Sequence, residues 1–161
     1  MLKLLVVVLF AVACTGDDVE AYRQSKITRK IITTYDAPIL PLPLNQAIVV
    51  YPFVFVSGCV GMDKDNNNQI VPGGIVPETI QTLKNLDTVL KASGSSVENV
   101  VKTNVYLQSM DDFTLFNQEY QKVFSKDFPA RSSVQVAMLP VNAKVEIEVI
   151  ALVGDIQTVY C

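Results

Sequence analysis

The sequence predicts an α+β fold, a mixed sheet with two helices on one of its faces. Three observations carry that prediction. Runs rich in Val, Ile and Phe recur in short stretches of strand length. Two longer segments repeat their apolar residues every three or four positions, as helices do. The order is strands, helix, strand, helix, two strands, within 161 residues of which 50% are hydrophobic. That length fills one core and is too short for two ordinary domains.

The chain opens with "MLKLLVVVLFAVAC", a lysine at position 3 followed by an apolar run from Leu4 to Cys14. The run is too short to cross a bilayer and has the layout of a secretory signal peptide. Cleavage after Ala13 and cleavage after Ala21 both satisfy the small-residue rule, and the later site leaves a polar spacer. The expected organisation is a signal peptide over residues 1–21 and one domain over 22–161, with no stable membrane insertion after cleavage. Removing Lys3, Asp17, Asp18 and Glu20 moves the formal charge from −3 to −1.

Residues 22–36 begin basic and turn β-branched, predicting an arm and a first strand near Lys30–Thr34. "APILPLPLNQ" follows, and its three prolines remove backbone donors and enforce an extended loop. "AIVV" and "FVFVSGCVGM" are strand material, with the polar run Asp63–Gln69 as a hairpin tip. Pro77 suits the first turn of a helix, with Glu78 close to its positive end. Ile80, Leu83, Leu86 and Leu90 then mark a buried stripe, and Gly94 ends the helix. "VVKTNVYL" (Val100–Leu107) is a strand. A second helix opens near Ser109–Asp112, carries Phe113, Phe116, Tyr120 and Phe124 on one face, and is closed by Pro129. Strands at Ser132–Met138 and Lys144–Leu152 complete the domain.

Composition removes several functions. With no histidine in the chain, His-based triads, His general bases and His-ligated metals are ruled out. Cys14, Cys59 and Cys161 lack metal-type spacing. No basic run marks a nucleic-acid footprint.

The informative residue is Arg131, a permanent cation entering a strand-like stretch with no acid beside it in sequence. Alternation puts Arg131 and Ser133 on one strand face and Ser132, Val134 and Val136 on the other. In the last strand Glu146 and Glu148 oppose Val145, Ile147 and Val149. If the helices cover the valine face, Arg131, Ser133, Glu146 and Glu148 share the other. Two readings stay open on that basis. One is a solvated face with an Arg–Glu pair; the other is an anion-binding cleft whose arginine fork grips a carboxylate. Cys59 reads as a small buried hydrophobe with no histidine to activate it. The glycine of Ser57-Gly58 suggests a bulge or a close approach within a strand. Asn117 falls off the aromatic stripe.

The segments "FVSGCVGMDKD", "VPGG", "ASGSSVENVVKTNVYL", "MDDF…FNQEY", "FPARSSVQVAMLP" and "AKVEIEVIAL" resemble, in order and spacing, the Rid family. These are the YjgF-like 2-iminobutanoate/2-iminopropanoate deaminases, and the likeness is strongest to the animal, insect-like branch. It covers about residues 26–154. The resemblance implies a chorismate-mutase-like unit assembled as a homotrimer whose sheets close a barrel, with clefts between subunits. It implies hydrolysis of reactive enamine/imine intermediates to 2-keto acids and ammonia, with no cofactor. Carried onto this chain, the carboxylate-binding arginine is Arg131 and the water-activating glutamate is Glu146. Ser57 is the pocket serine, Asn117 the helix asparagine, and Ser133 stands where many members have cysteine. Leu44 stands where the family usually has a pocket tyrosine. Relatives of this kind are usually cytoplasmic or mitochondrial, so a signal peptide departs from the pattern. A non-catalytic secreted protein that binds small acids is the alternative; ribonuclease or translation-inhibitor activity fits less well without histidines or a basic stripe.

Overall fold

A computed structural model describes residues 26–161. The signal segment expected over residues 1–21 lies outside them. The strands are β1 (Lys30–Ile32), β2 (Ala47–Val50), β3 (Phe53–Val60), β4 (Met62–Asp63), β5 (Gln69–Ile70), β6 (Val100–Leu107), β7 (Ala130–Gln135) and β8 (Val145–Leu152); the helices are α1 (Ile75–Ala92) and α2 (Phe113–Val123). Six strands form one sheet in the order β1-β2-β3-β8-β6-β7, and β4 and β5 make a separate hairpin. β7 runs parallel to β6 while the other pairs are antiparallel. The α+β class with a mixed sheet and two helices is therefore as the sequence predicts.

The helices cover one sheet face. Val54 and Val56 of β3, Val105 of β6, and Val145, Ile147 and Val149 of β8 are buried beneath them with Leu83, Leu86, Leu90 and Phe116. Alternation along β8 is complete, with every second residue buried. Truncating a fully buried ring such as Phe116 costs about 3–5 kcal/mol.

The stripe on α1 departs from expectation. Ile80 is 51% exposed, and the buried side includes Glu78, Thr79, Thr82 and Asn85. Polar residues hold those positions because several find partners there. Asn85 Nδ2 donates to the carbonyls of Val60 and Met62, and Thr79 Oγ1 donates to the Ile75 carbonyl. Glu78 Oε2 accepts the backbone N–H of Lys144 at 2.6 Å. Gly94 follows the helix at φ 77°, a left-handed position suited to glycine.

α2 is entered through one 3₁₀ turn, Met110–Asp112, capped by Ser109, whose hydroxyl accepts the Asp111 N–H. Tyr120 stacks on Phe124 and lies near Phe116. β7 begins two residues earlier than the sequence suggests and ends at Gln135, where its pairing with Leu107 stops. Arg131 thus lies inside the strand.

Candidate functional site

The register decides which side chains can meet. Arg131 pairs with Thr103 and Ser133 with Val105, and both partners are buried under the helices. Glu146 pairs with Tyr106 and Glu148 with Asn104, on the other face. The expectation that Arg131, Ser133, Glu146 and Glu148 share a face is therefore wrong within one chain. Arg131 and Ser133 belong to the helix side, Glu146 and Glu148 to the open side. Val134 lies on the open side, opposite Tyr106 and 47% exposed. The reason is the aromatic stripe of α2. The guanidinium carbon lies 4.8 Å from the Tyr120 ring centre, 5.6 Å from Phe113 and 5.9 Å from Phe116. Such a platform accepts a cation on its faces and packs its stem, so an arginine can occupy the helix side of an edge strand.

The Arg131 cluster comes from β7 and α2. Nη1 donates to Asn117 Oδ1 at 2.8 Å, which fixes one arm of the fork. Among the described residues the ion pairs are Lys64–Asp65, Lys91–Asp87 and Lys122–Glu119, and none includes Arg131. That outcome removes the Arg–Glu pair. Phe128 and Pro129 join Asn117, Tyr120 and Arg131 around an open depression. Ser133 is half-buried two residues on, and its Oγ has no hydrogen-bond partner among the described residues. Tyr120 is itself held by a 3.0 Å bond between its hydroxyl and that of Thr103. Sequence reasoning assigned Tyr120 and Phe113 to the core stripe only; an aromatic row facing a strand arginine was the signal for their second role.

The second cluster centres on β3 and β8. Between Val56 and Cys59 the register slips, so Ser57-Gly58 forms a bulge. Ser57 Oγ donates to the Asn45 carbonyl at 2.7 Å, tying the bulge to the loop that carries Leu44. Glu146 lies across Gly58 so closely that a Cβ there would sit 1.8 Å from Oε1. Glycine at 58 is thus what lets the carboxylate occupy its place. Of the sequence readings of that glycine the bulge is found, and what approaches it closely is the Glu146 side chain and not another backbone. Leu44 is 50% exposed and lines, with Leu40, Ser57, Gly58 and Cys59, a cavity of about 110 Å³.

Electrostatics separate the groups further. Burial, and then the charge of Glu148, push the Glu146 carboxyl above the usual carboxylate range. Burial, and then Glu146, push the Cys59 thiol up to about 12. A thiol in that state is no nucleophile, and Cys59 packs half-buried against the core, less enclosed than the sequence suggests. Among the described residues no cluster of acids and cysteines could hold a metal ion, and no helix is long and apolar enough to cross a membrane.

The structure thus separates Arg131, Asn117 and Ser133, on the helix side of the sheet, from Glu146 on the open side; Ser57 and Leu44 line a cavity that Asn85 and Val89 of α1 also line and Glu146 does not.

Comparison with known proteins gives a consistent result. Residues 34–153 match the family described as Endoribonuclease L-PSP. The chain is 49% identical over 134 residues to the RutC family protein UK114 of Drosophila melanogaster, covering 83% of this chain and 96% of that one. It is 47% identical over 130 residues to the 2-iminobutanoate/2-iminopropanoate deaminase of Mus musculus, covering 81% and 96%. Among solved structures it is similar to E. coli TdcF with bound serine, at a TM-score of 0.73 and 33% identity over 78% of this chain and 99% of that one. With a two-helix mixed sheet matched over nearly the whole of these relatives, the chain belongs to the endoribonuclease L-PSP family, which is the Rid or YjgF-like family.

Proposed function

We propose that this protein hydrolyses reactive 2-imino acids, such as 2-iminobutanoate and 2-iminopropanoate, to 2-keto acids and ammonia. The sites lie between copies of a homotrimer. The observation that carries this reading is the division of the two clusters. A fork with donors to spare sits on one face of the sheet, and a half-buried carboxyl with raised proton affinity sits on the other. Neither cluster alone binds and hydrates an imino acid; the Arg131 face of one copy against the Glu146 face of the next does both. The exposed Phe53, Phe55 and Val134 of the open face suit that assembly.

In this mechanism the Arg131 guanidinium grips the substrate carboxylate bidentately, its remaining arm steadied by Asn117. Glu146 takes a proton from water as the oxygen adds to the imine carbon. Returned to nitrogen, that proton completes the carbinolamine; Glu146 then takes the carbinolamine hydroxyl proton and passes it to the departing nitrogen, so ammonia leaves as the C=O bond forms and Glu146 ends as it began. No group other than water is consumed. The deaminase name borne by the mouse relative supports the reaction class. RNA cleavage has less support, because the open face presents Glu146 and Glu148 and a histidine-free chain has no basic stripe to hold phosphates. The apolar Leu44 favours one other reading, a protein that binds small acids without turnover. We further propose that residues 1–21 direct export and leave residues 22–161 as the mature chain.

Mixed assemblies test the proposal. Arg131→Ala and Glu146→Gln should each abolish hydrolysis of 2-iminobutanoate. Each loses roughly 2–5 kcal/mol, or about one and a half to nearly four powers of ten. In a ring of three with each site drawn from two neighbours, random mixing of equal amounts leaves about one quarter of the sites intact. Co-expression of the two variants should therefore restore about a quarter of the parental activity. Two dead variants that stay dead in mixed trimers would defeat the shared site. Full activity in either variant would defeat the assigned chemistry, and binding of 2-ketobutyrate without turnover by the parent would favour the binding protein.

A further inference from the structure

The open face holds a hydrogen-bonded cluster that the proposed reaction leaves without a role. Glu148 Oε1 accepts Asn104 Nδ2 at 2.8 Å and the Tyr106 hydroxyl at 3.0 Å. Asn104 is the cross-strand partner of Glu148, whereas Tyr106 is the partner of Glu146 and reaches diagonally to Glu148. Both donors converge on one oxygen, so the carboxylate is held in place and oriented along the face that Glu146 occupies two residues earlier.

The charges around Glu146 are one-sided. From β3 it meets Gly58 and Cys59, the latter a neutral thiol; from β6 it meets Tyr106; along β8 it meets Glu148. Lys102 is the nearest cation on β6, and its Nζ donates to Ser132 Oγ at 2.9 Å instead. Among the described residues no ion pair includes Glu146 or Glu148. Two neutral donors thus hold the Glu148 carboxylate by one oxygen, with no cation paired to it among the described residues.

We infer that Glu148, fixed by Asn104 and Tyr106, is a positioning residue for the reaction: a stationary negative charge on the same strand face as Glu146, against which the water-activating carboxylate works. The role rests on the reading of Glu146 as that base. A like charge nearby favours the protonated form of a carboxyl, and the upward direction found for Glu146, from burial first and Glu148 second, agrees with it. A base so tuned accepts a proton from water more readily at neutral pH, and in exchange loses activity sooner as the medium turns acid.

The test compares Glu148→Gln, Glu148→Asp and the parent as full assemblies, reading kcat/KM for 2-iminobutanoate against pH and the carboxyl titration of Glu146 by NMR. Glutamine keeps an oxygen for Asn104 and Tyr106 but no charge. It should move both the acid limb and the Glu146 titration to lower pH, with a lower plateau. Aspartate keeps the charge and should leave the limb nearer the parental position. A limb and a titration that stay put in an active Glu148→Gln enzyme overturn the inference. If glutamine prevents assembly, Glu148→Thr removes the same charge and must give the same displacement. A parent inactive on 2-iminobutanoate refutes the deaminase reading instead, a result separable from the Glu146 titration, which requires no turnover.

Discussion

Replacing Gly58 with alanine is the sharpest perturbation the geometry allows. The new methyl would lie 1.8 Å from Glu146 Oε1 and 2.7 Å from its carboxyl carbon, whereas ordinary contact begins near 3.4 Å. The carboxylate must therefore withdraw by about 1.6 Å. Gly58 does not lie in the left-handed region, so alanine suits its backbone, and the obstacle is the end of a movable side chain. The folding cost is accordingly small, about 0.5–1.5 kcal/mol for an off-rotamer glutamate. The catalytic cost is larger, since a displacement of about 1 Å in a positioned group removes roughly 10²-fold in rate, or about 2.7 kcal/mol. Thermal unfolding and size-exclusion chromatography should find Gly58→Ala folded and assembled. A coupled assay of 2-iminobutanoate hydrolysis should find it about a hundredfold slower. A variant that hydrolyses at the parental rate would mean that the position of Glu146 over Gly58 is not its working position.

Arg131→Lys should recover little of what alanine loses, because an ammonium cannot reproduce the fork or stack on Tyr120; KM and kcat for 2-iminobutanoate measure it. Leu44→Tyr should raise turnover if a hydroxyl and an aromatic wall are what the cavity by Ser57 lacks, and unchanged kinetics would acquit Leu44. Glu78 supplies a pH prediction: burial first, opposed by the Lys144 N–H, raises its carboxyl above 4.5 in the folded state. A raised acid contributes stability that is present below 4.5 and fades as pH climbs through the folded value. Urea unfolding of Glu78→Gln, whose oxygen still accepts the Lys144 N–H, should lack that component, and identical pH dependence in both proteins would contradict the burial argument.

How far the sequence reached depended on how sharply each element alternates. β8 reads valine, glutamate, isoleucine, glutamate, so its two faces were legible from composition alone. β7 reads alanine, arginine, serine, serine, valine, glutamine, and either parity leaves a mixed face. Val134 and Val136 suggested the wrong one. Only the parallel pairing with β6 and the rings of α2 settle it, and neither is a property of the strand itself. On α1 the same ambiguity arose from polar residues in buried places. Asn85 and Glu78 look like surface residues until the carbonyls of Val60 and Met62 and the N–H of Lys144 arrive from elsewhere in the chain. The separation of Arg131 and Ser133 from Glu146 follows from pairing and not from any local pattern.

The bulge at Ser57-Gly58 also has a consequence for how the sheet finds its alignment. Before it, the even-numbered Val54 and Val56 face the helices; after it, the odd-numbered Cys59 does, opposite Ile147. The extra residue thus resets parity midway along β3, and the strand fits β8 in only one alignment, because sliding by one position would misplace both halves in different ways. Deleting either residue of the pair would leave a strand of unbroken pleat in which Cys59 stands two positions after Val56 and keeps its place opposite Ile147. What would go is the bulge itself, and with it the approach of Glu146 over Gly58 and the tie from Ser57 to the Asn45 carbonyl. A single-residue deletion here should therefore keep the pairing of both halves with β8 and show its loss in the placement of Glu146.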